Sequence, residues 1–220
     1  YDGQQWHDLG APDGRNFECL LPMGGRLYAA THGNVYLYEG VERWKSIGNE
    51  LFGEDQIHAL TVFNGKLHAG CWPAGYVLRY EGDMNWVITG QLGITRGKNN
   101  EVMDLVTYNG KMYAGVIPRA EVYRYESDGN WTLMKSLVSK SAMAEGVRGW
   151  CRITSFASFR GKLFASTGSC FGAAQDVDPD GTLGRVCSMQ AGQVVSHESD
   201  IGGEWTHIAA IRQGKQIRLF

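Results

Sequence analysis

The side chains best suited to chemistry in this chain of 220 residues sit in turn-like segments, outside its long apolar runs. Trp72 and Trp150 are two such residues, and a wide indole face on a loop can stack on a sugar ring or an aromatic ligand. The same face can instead pin a loop to the core. His32, Asn34 and Arg119 occupy comparable segments and offer polar groups to orient a ligand. Together His32, Asn34, Trp72, Arg119 and Trp150 form the expected ligand-binding set.

Other chemistries are less complete. Asp176-Val177-Asp178-Pro179-Asp180-Gly181 alternates oxygens before a Gly, as a calcium loop does, which makes Asp176, Asp178 and Asp180 the candidate metal ligands. The Glu wanted six places after that Gly is Cys187, so a solvated acidic turn is the competing reading and no cofactor is required. Acid–base catalysis would need paired carboxylates; Glu18, Asp55, Glu101 and Asp104 fall at or near the starts of apolar strands. His58 and His207 begin apolar runs, and His68 fills a slot held elsewhere by Tyr28 and Tyr113, a repetition that argues for packing. No G-x-S-x-G elbow or partnered Cys points to a nucleophile. Binding is favoured over catalysis.

Five related hairpins must position these residues. They run Leu20–Ala30, Ala59–Gly70, Asp104–Gly115, Ser155–Ser166 and Ile208–Phe220, each with an apolar run, a Gly followed by Lys or Arg, and a second apolar run. The turn glycines are Gly25, Gly65, Gly110, Gly161 and Gly214. A Gly at such a turn supplies the positive φ of a tight hairpin. Downstream comes an alternating aromatic strand, an acidic turn and a Trp: Val35–Gly40 then Trp44, Val77–Gly82 then Trp86, Val122–Glu126 then Trp131. Each unit therefore holds four strands.

Repeats of this length predict an all-β protein, a five-bladed β-propeller of four-stranded antiparallel blades. The last hairpin lacks its outer strands, and Tyr1–Gly3 with Trp6 are read as the missing half, closing the ring by joining the N-terminus to the C-terminal hairpin. The blades are placed at about 17–48, 56–92, 101–138, 152–205 with an insertion at 168–184, and 206–220 plus 1–10. Trp6, Trp44, Trp86, Trp131 and Trp205 are then expected to cover the blades. In such a ring the strand-two to strand-three loops and the blade-to-blade loops share one face, where the ligand set falls. Those loops differ between blades, which predicts one composite site or a few unequal ones.

The Gly-Lys-[Leu/Met]-x-Ala hairpin with Tyr-Glu-Gly-x-x-Trp resembles short-blade propeller repeats of extracellular proteins, in the style of kelch and sialidase repeats, and covers essentially the whole chain. The blade number is similar to that of the five-bladed tachylectin family of lectins. That likeness is architectural; blade number, tryptophan-bearing loops, balanced charge and the lack of a catalytic motif together point to an extracellular, carbohydrate-binding protein, with a protein-interaction or structural module and a glycoside-active enzyme as the alternatives. Ser127-Asp128-Gly129-Asn130-Trp131 echoes only part of the sialidase Asp-box, so no catalytic residue carries over.

Composition narrows the partners. A net charge of −2 with no basic run lacks the electrostatic footprint of nucleic-acid binding. No apolar stretch approaches the ~18 residues of a membrane span. The expected partner is a glycan or another small polar ligand, with a protein partner as the alternative. The sequence opens at Tyr1 without Met or an apolar leader, as a processed or trimmed chain would. Five cysteines leave one unpaired; Cys170 and Cys187 flank the long insertion and can staple it or remain buried thiols. Asn130-Trp131-Thr132 is a glycosylation sequon if the protein is secreted.

Overall fold

The computed structural model describes residues 3, 5–93, 99–138, 151–168, 184–192, 205 and 207–220. Three consecutive four-stranded antiparallel sheets dominate it. The first contains β1 (Phe17–Met23), β2 (Arg26–Thr31), β3 (Val35–Gly40) and β4 (Arg43–Gly48). The second contains β5 (Gln56–Phe63), β6 (Lys66–Trp72), β7 (Tyr76–Gly82) and β8 (Asn85–Gln91). The third contains β9 (Glu101–Tyr108), β10 (Lys111–Ile117), β11 (Glu121–Ser127) and β12 (Asn130–Ser136). In each, neighbours in sequence are neighbours in the sheet.

The fourth unit is described as three strands, β13 (Ile153–Phe159), β14 (Lys162–Thr167) and β15 (Val186–Met189). A last hairpin joins β16 (Ala210–Gln213) to β17 (Gln216–Leu219). The hairpin turns follow from their residues. Asn64-Gly65 and Asn109-Gly110 both adopt positive φ, at 49° and 72° and at 47° and 70°. That geometry matches the twist of the flanking strands and sets their register.

The sheets pack through small residues. Gly70 on β6 leaves room for Val102 of the next unit, and Gly115 on β10 leaves room for Ile153; a Cβ at either glycine would collide. Ile57, Val102 and Ile153 hold the same register on three successive inner strands and are wholly buried. Packing of this density removes apolar surface from water at both of these interfaces.

The fourth strands are tied as well. Trp86 donates its indole N–H to the Ile47 carbonyl at 2.7 Å, and Trp131 donates to Thr89 at 3.0 Å. Each acceptor lies three residues after the preceding Trp. Trp44 makes the same bond to Leu9 at 2.8 Å, and Leu9 lies three residues after Trp6.

The expected closure of the ring is not seen among the described residues. Among the described residues the β16–β17 hairpin pairs with no other sheet, and residues 5–10 form no strand. Trp205 is fully exposed and Trp6 is 85% exposed, so neither covers a blade as Trp86 does. Spacing supplies a reason. Gly65 follows Trp44 by 21 residues and Gly110 follows Trp86 by 24, but Gly214 follows Trp205 by only nine. That interval is too short for an outer strand, a connection and a new inner strand.

The cysteines select one of the two readings left open. Cys19, Cys71 and Cys187 are free thiols, so the staple through Cys187 is not formed. Burial pushes Cys71 well above the usual thiol range and Cys19 up to about 12, which favours the neutral thiol over the nucleophilic thiolate.

Candidate functional site

A β-bulge recurs near the starts of β1, β5, β9 and β13. The register slips between Phe17 and Cys19, between Ile57 and Ala59, and between Ile153 and Ser155. The bulged residues are therefore Glu18, His58 and Thr154, with Met103 at the matching place on β9. A bulge re-aims its side chain. Here it brings Glu18 and His58 together from adjacent sheets: His58 Nδ1 lies 3.3 Å from Glu18 Oε2.

The contact extends in both directions. Glu18 Oε1 lies 2.8 Å from His32 Nε2, and His58 Nε2 lies 2.6 Å from Glu101 Oε1. The last approach is close enough for charge pairing, but its angles are not those of a hydrogen bond. A chain of His32, Glu18, His58 and Glu101 thus crosses three sheets. His58 is a connector between two carboxylates, in contrast to the packing role its repetition suggested; His207 is exposed and shares none of these contacts.

Beside His32 opens a groove of about 630 Å³ between the first and second sheets. Its walls include Arg15, His32, Glu50, Glu54, Asp55, Gln56 and Trp72. The backbone joins these walls into one unit. Leu51 N–H donates to Gly33 O at 3.1 Å, and Asp55 N–H donates to Trp72 O at 2.9 Å. Thus the connection from β4 to β5 is fixed to the β2–β3 turn on one side and to the end of β6 on the other.

Glu54 is the most perturbed group of the groove. It is 5% exposed, and both carboxylate oxygens accept from Ala74 N–H, at 3.2 and 3.1 Å. Burial pushes its carboxyl up to about 7; the Ala74 bond opposes the shift and nearby Asp55 adds to it. Near neutral pH this group can accept or donate a hydrogen bond.

An N-terminal strap supports the opposite wall. Asp13 Oδ2 accepts from Asn34 Nδ2 at 2.9 Å, Tyr36 Oη at 2.9 Å and Thr31 Oγ1 at 3.1 Å. Asn34 Oδ1 in turn accepts from Glu50 N–H at 3.0 Å, and Arg15 Nη1 donates to His32 O at 2.6 Å. Burial alone would raise the Asp13 carboxyl, but its hydrogen bonds outweigh that and hold it below the usual range.

The structure brings together His32 and Trp72 from the expected ligand set. Asn34 is buried beneath them and orders the wall. Arg119 lies elsewhere, in the β10–β11 loop, where it bridges Cys151 and its carbonyl accepts from Ser136 Oγ at 2.7 Å. Trp150, Asp176, Asp178 and Asp180 lie outside the described residues, among which no cluster of three metal-binding side chains occurs. Asp104 ties sheets together: its carboxylate accepts from Leu105 N–H at 2.8 Å and from Phe156 N–H of the next sheet at 2.6 Å. Burial nevertheless raises its carboxyl.

Arg15 and Gln56 escaped notice in the sequence, and Glu54 fell within a blade-to-blade loop without being singled out, because their roles depend on ties between loops. One signal was available: Gln56 holds the register of Glu101, so the groove and the His–Glu chain start from matching places on adjacent strands.

No protein-family model matches the chain, and no curated protein matches it. Solved structures do. One is described as the extracellular domain of a hybrid two component system from B. thetaiotaomicron, with a TM-score of 0.56 and 15% identity over 77% of this chain. The match spans 22% of that much longer chain. The computationally designed Ika4 protein gives a TM-score of 0.49 at 12% identity, covering 86% of this chain and all of its own. YCF48 from Cyanidioschyzon merolae gives 0.46 at 12% identity, covering 73% of this chain and 54% of its own. At these identities the likeness concerns the fold alone. With the repeated four-stranded sheets, it gives a β-propeller-like all-β fold. Among the described residues, no helix is long and apolar enough to cross a membrane.

Proposed function

We propose that this is a non-enzymatic binding protein of the extracellular space whose groove between the first two sheets takes a carbohydrate. The observation that carries the reading is Trp72 lining one groove with His32, Glu54 and Gln56. An indole supplies an apolar platform for the C–H face of a sugar, and the polar groups around it pair with hydroxyls.

A glycan array followed by affinity-resin retention tests the function. Wild-type protein is retained by a subset of glycans, and Trp72→Ala weakens retention roughly tenfold or more, as loss of a stacked aromatic does. Silence across a broad panel, or equal retention of Trp72→Ala, overturns it.

We read the ring as five-bladed, with kelch- or sialidase-style repeats, and assign Trp6–Leu9 to the outer edge of the closing blade. The Trp44–Leu9 bond supports this because it repeats the bonds that Trp86 and Trp131 make to the sheets before them. The C-terminal hairpin is the candidate for that blade's inner strands, and Trp205 is then excluded from the fourth blade. A disulfide engineered between the two ends tests the closure: formation without loss of stability supports it, and failure to form under oxidising conditions counts against it.

A second reading, a module of a larger assembly, is favoured by that hairpin, where Ile208, Ile211 and Phe220 are more than half exposed. Light scattering separates the two. A concentration-dependent multimer abolished by Ile211→Lys supports assembly, and a monomer that retains glycans supports the lectin-like reading.

A further inference from the structure

We propose that the ligand of the Trp72 groove is an amino sugar, with its ammonium held by Glu54 and Asp55 against the indole of Trp72. The inference rests on the carbohydrate reading above and adds the chemical class of the sugar.

Formal charge in the groove is one-sided. Glu50, Glu54 and Asp55 all line it, and none of the three is in an ion pair among the described residues. The facing cation is Arg15, which already donates Nη1 to the His32 carbonyl at 2.6 Å. His32 is turned to Glu18. A neutral sugar would leave the excess negative charge uncompensated, whereas an ammonium neutralises it.

Geometry gives the same answer. Glu54 is 95% buried by surface area, and its only hydrogen-bond donor among the described residues is the Ala74 amide. A carboxylate can accept about four hydrogen bonds. Burial therefore makes its charged form expensive, as its elevated pKa of about 7 reflects. An arriving ammonium would supply the missing counter-charge and donors. The indole of Trp72 completes the site, because a cation over an aromatic face is attracted by the ring quadrupole. Tryptophan with carboxylates is thus a better match to an ammonium-bearing ring than to a plain polyol.

The test is calorimetric titration at pH 7 with two probes, the β-1,4-linked tetramer of glucosamine and the same tetramer fully N-acetylated. Acetylation removes the charge and keeps the ring. The free-amine tetramer binds roughly tenfold to a hundredfold tighter, the range for a charge-assisted hydrogen bond. Glu54→Gln, which keeps an acceptor for Ala74, brings the two affinities within about twofold, and Asp55→Asn reduces the gap in part. Equal binding of both tetramers, or a preference that survives both substitutions, overturns the amino-sugar assignment and leaves the carbohydrate reading intact. If neither tetramer binds and no glycan is retained on the array, both fall. If neither tetramer binds while neutral glycans are retained, only the amino-sugar assignment falls.

Discussion

Trp44 and Leu9 are joined by a hydrogen bond from the indole N–H to the backbone carbonyl, 2.8 Å long, across 35 residues of chain. Equivalent bonds join Trp86 to Ile47 and Trp131 to Thr89. One device therefore repeats at three places, and at the first its acceptor is supplied by the N-terminal strap.

If these bonds hold neighbouring sheets together, Trp86→Phe removes the donor and leaves the Ile47 carbonyl without its partner. Trp86 is 5% exposed, so the variant loses about 2–3 kcal/mol in urea unfolding. Trp44→Phe, on a more open surface, loses about 1 kcal/mol. Equal, negligible effects at both positions would remove the device from the account.

His58 stands between Glu18 and Glu101, so deleting its ring leaves two carboxylates facing one another. His58→Ala destabilises by about 1–3 kcal/mol, and a cycle with Glu18→Gln gives a coupling near 1 kcal/mol. Guanidinium unfolding of the four proteins measures it. Strict additivity would mean that the contact stores no interaction energy.

Glu54 makes stability depend on pH. Its folded pKa, about 7, lies above the ordinary carboxyl value of 4.5, so the folded protein binds the proton more tightly than the unfolded chain. The stabilisation this brings is complete below pH 4.5 and is lost as pH rises through about 7. The other ionisable groups of the groove, Arg15, His32, Glu50 and Asp55, remain in place in Glu54→Gln. Urea midpoints at pH 5 and pH 8 should therefore differ less in the variant than in the wild type. An unchanged difference would show that Glu54 is not the group responsible.

Much of the fold was legible because its signals are local. A Gly before Lys or Arg marks a two-residue turn, and alternating Val-Tyr-x-Tyr marks a strand with one buried face. Trp86 and Trp131 could be recognised from their place after the acidic turn. Trp205 and Trp6 share the residue type, yet they are exposed, and for Trp205 the distance to the next turn glycine already sets it apart.

The site was legible in part. Trp72 and His32 stood out by residue type and loop position, and they meet in one groove. Arg119 looked equivalent but belongs to a different pair of sheets. Glu54 carries no sequence signature: its burial comes from the turn between Leu51 and Asp55 being tied to Gly33 and Trp72 at once. His58 was masked by its apparent repetition, because a bulge, not the strand alternation, sets where its ring points.

The most direct test of the groove is the indole N–H region of a nitrogen-15 spectrum, followed during titration with a glycan retained on the array. The resonance of Trp72 should shift and saturate, while those of Trp86 and Trp131, already bonded to Ile47 and Thr89, stay in place. A bound glycan that leaves the Trp72 resonance unmoved would contradict the account.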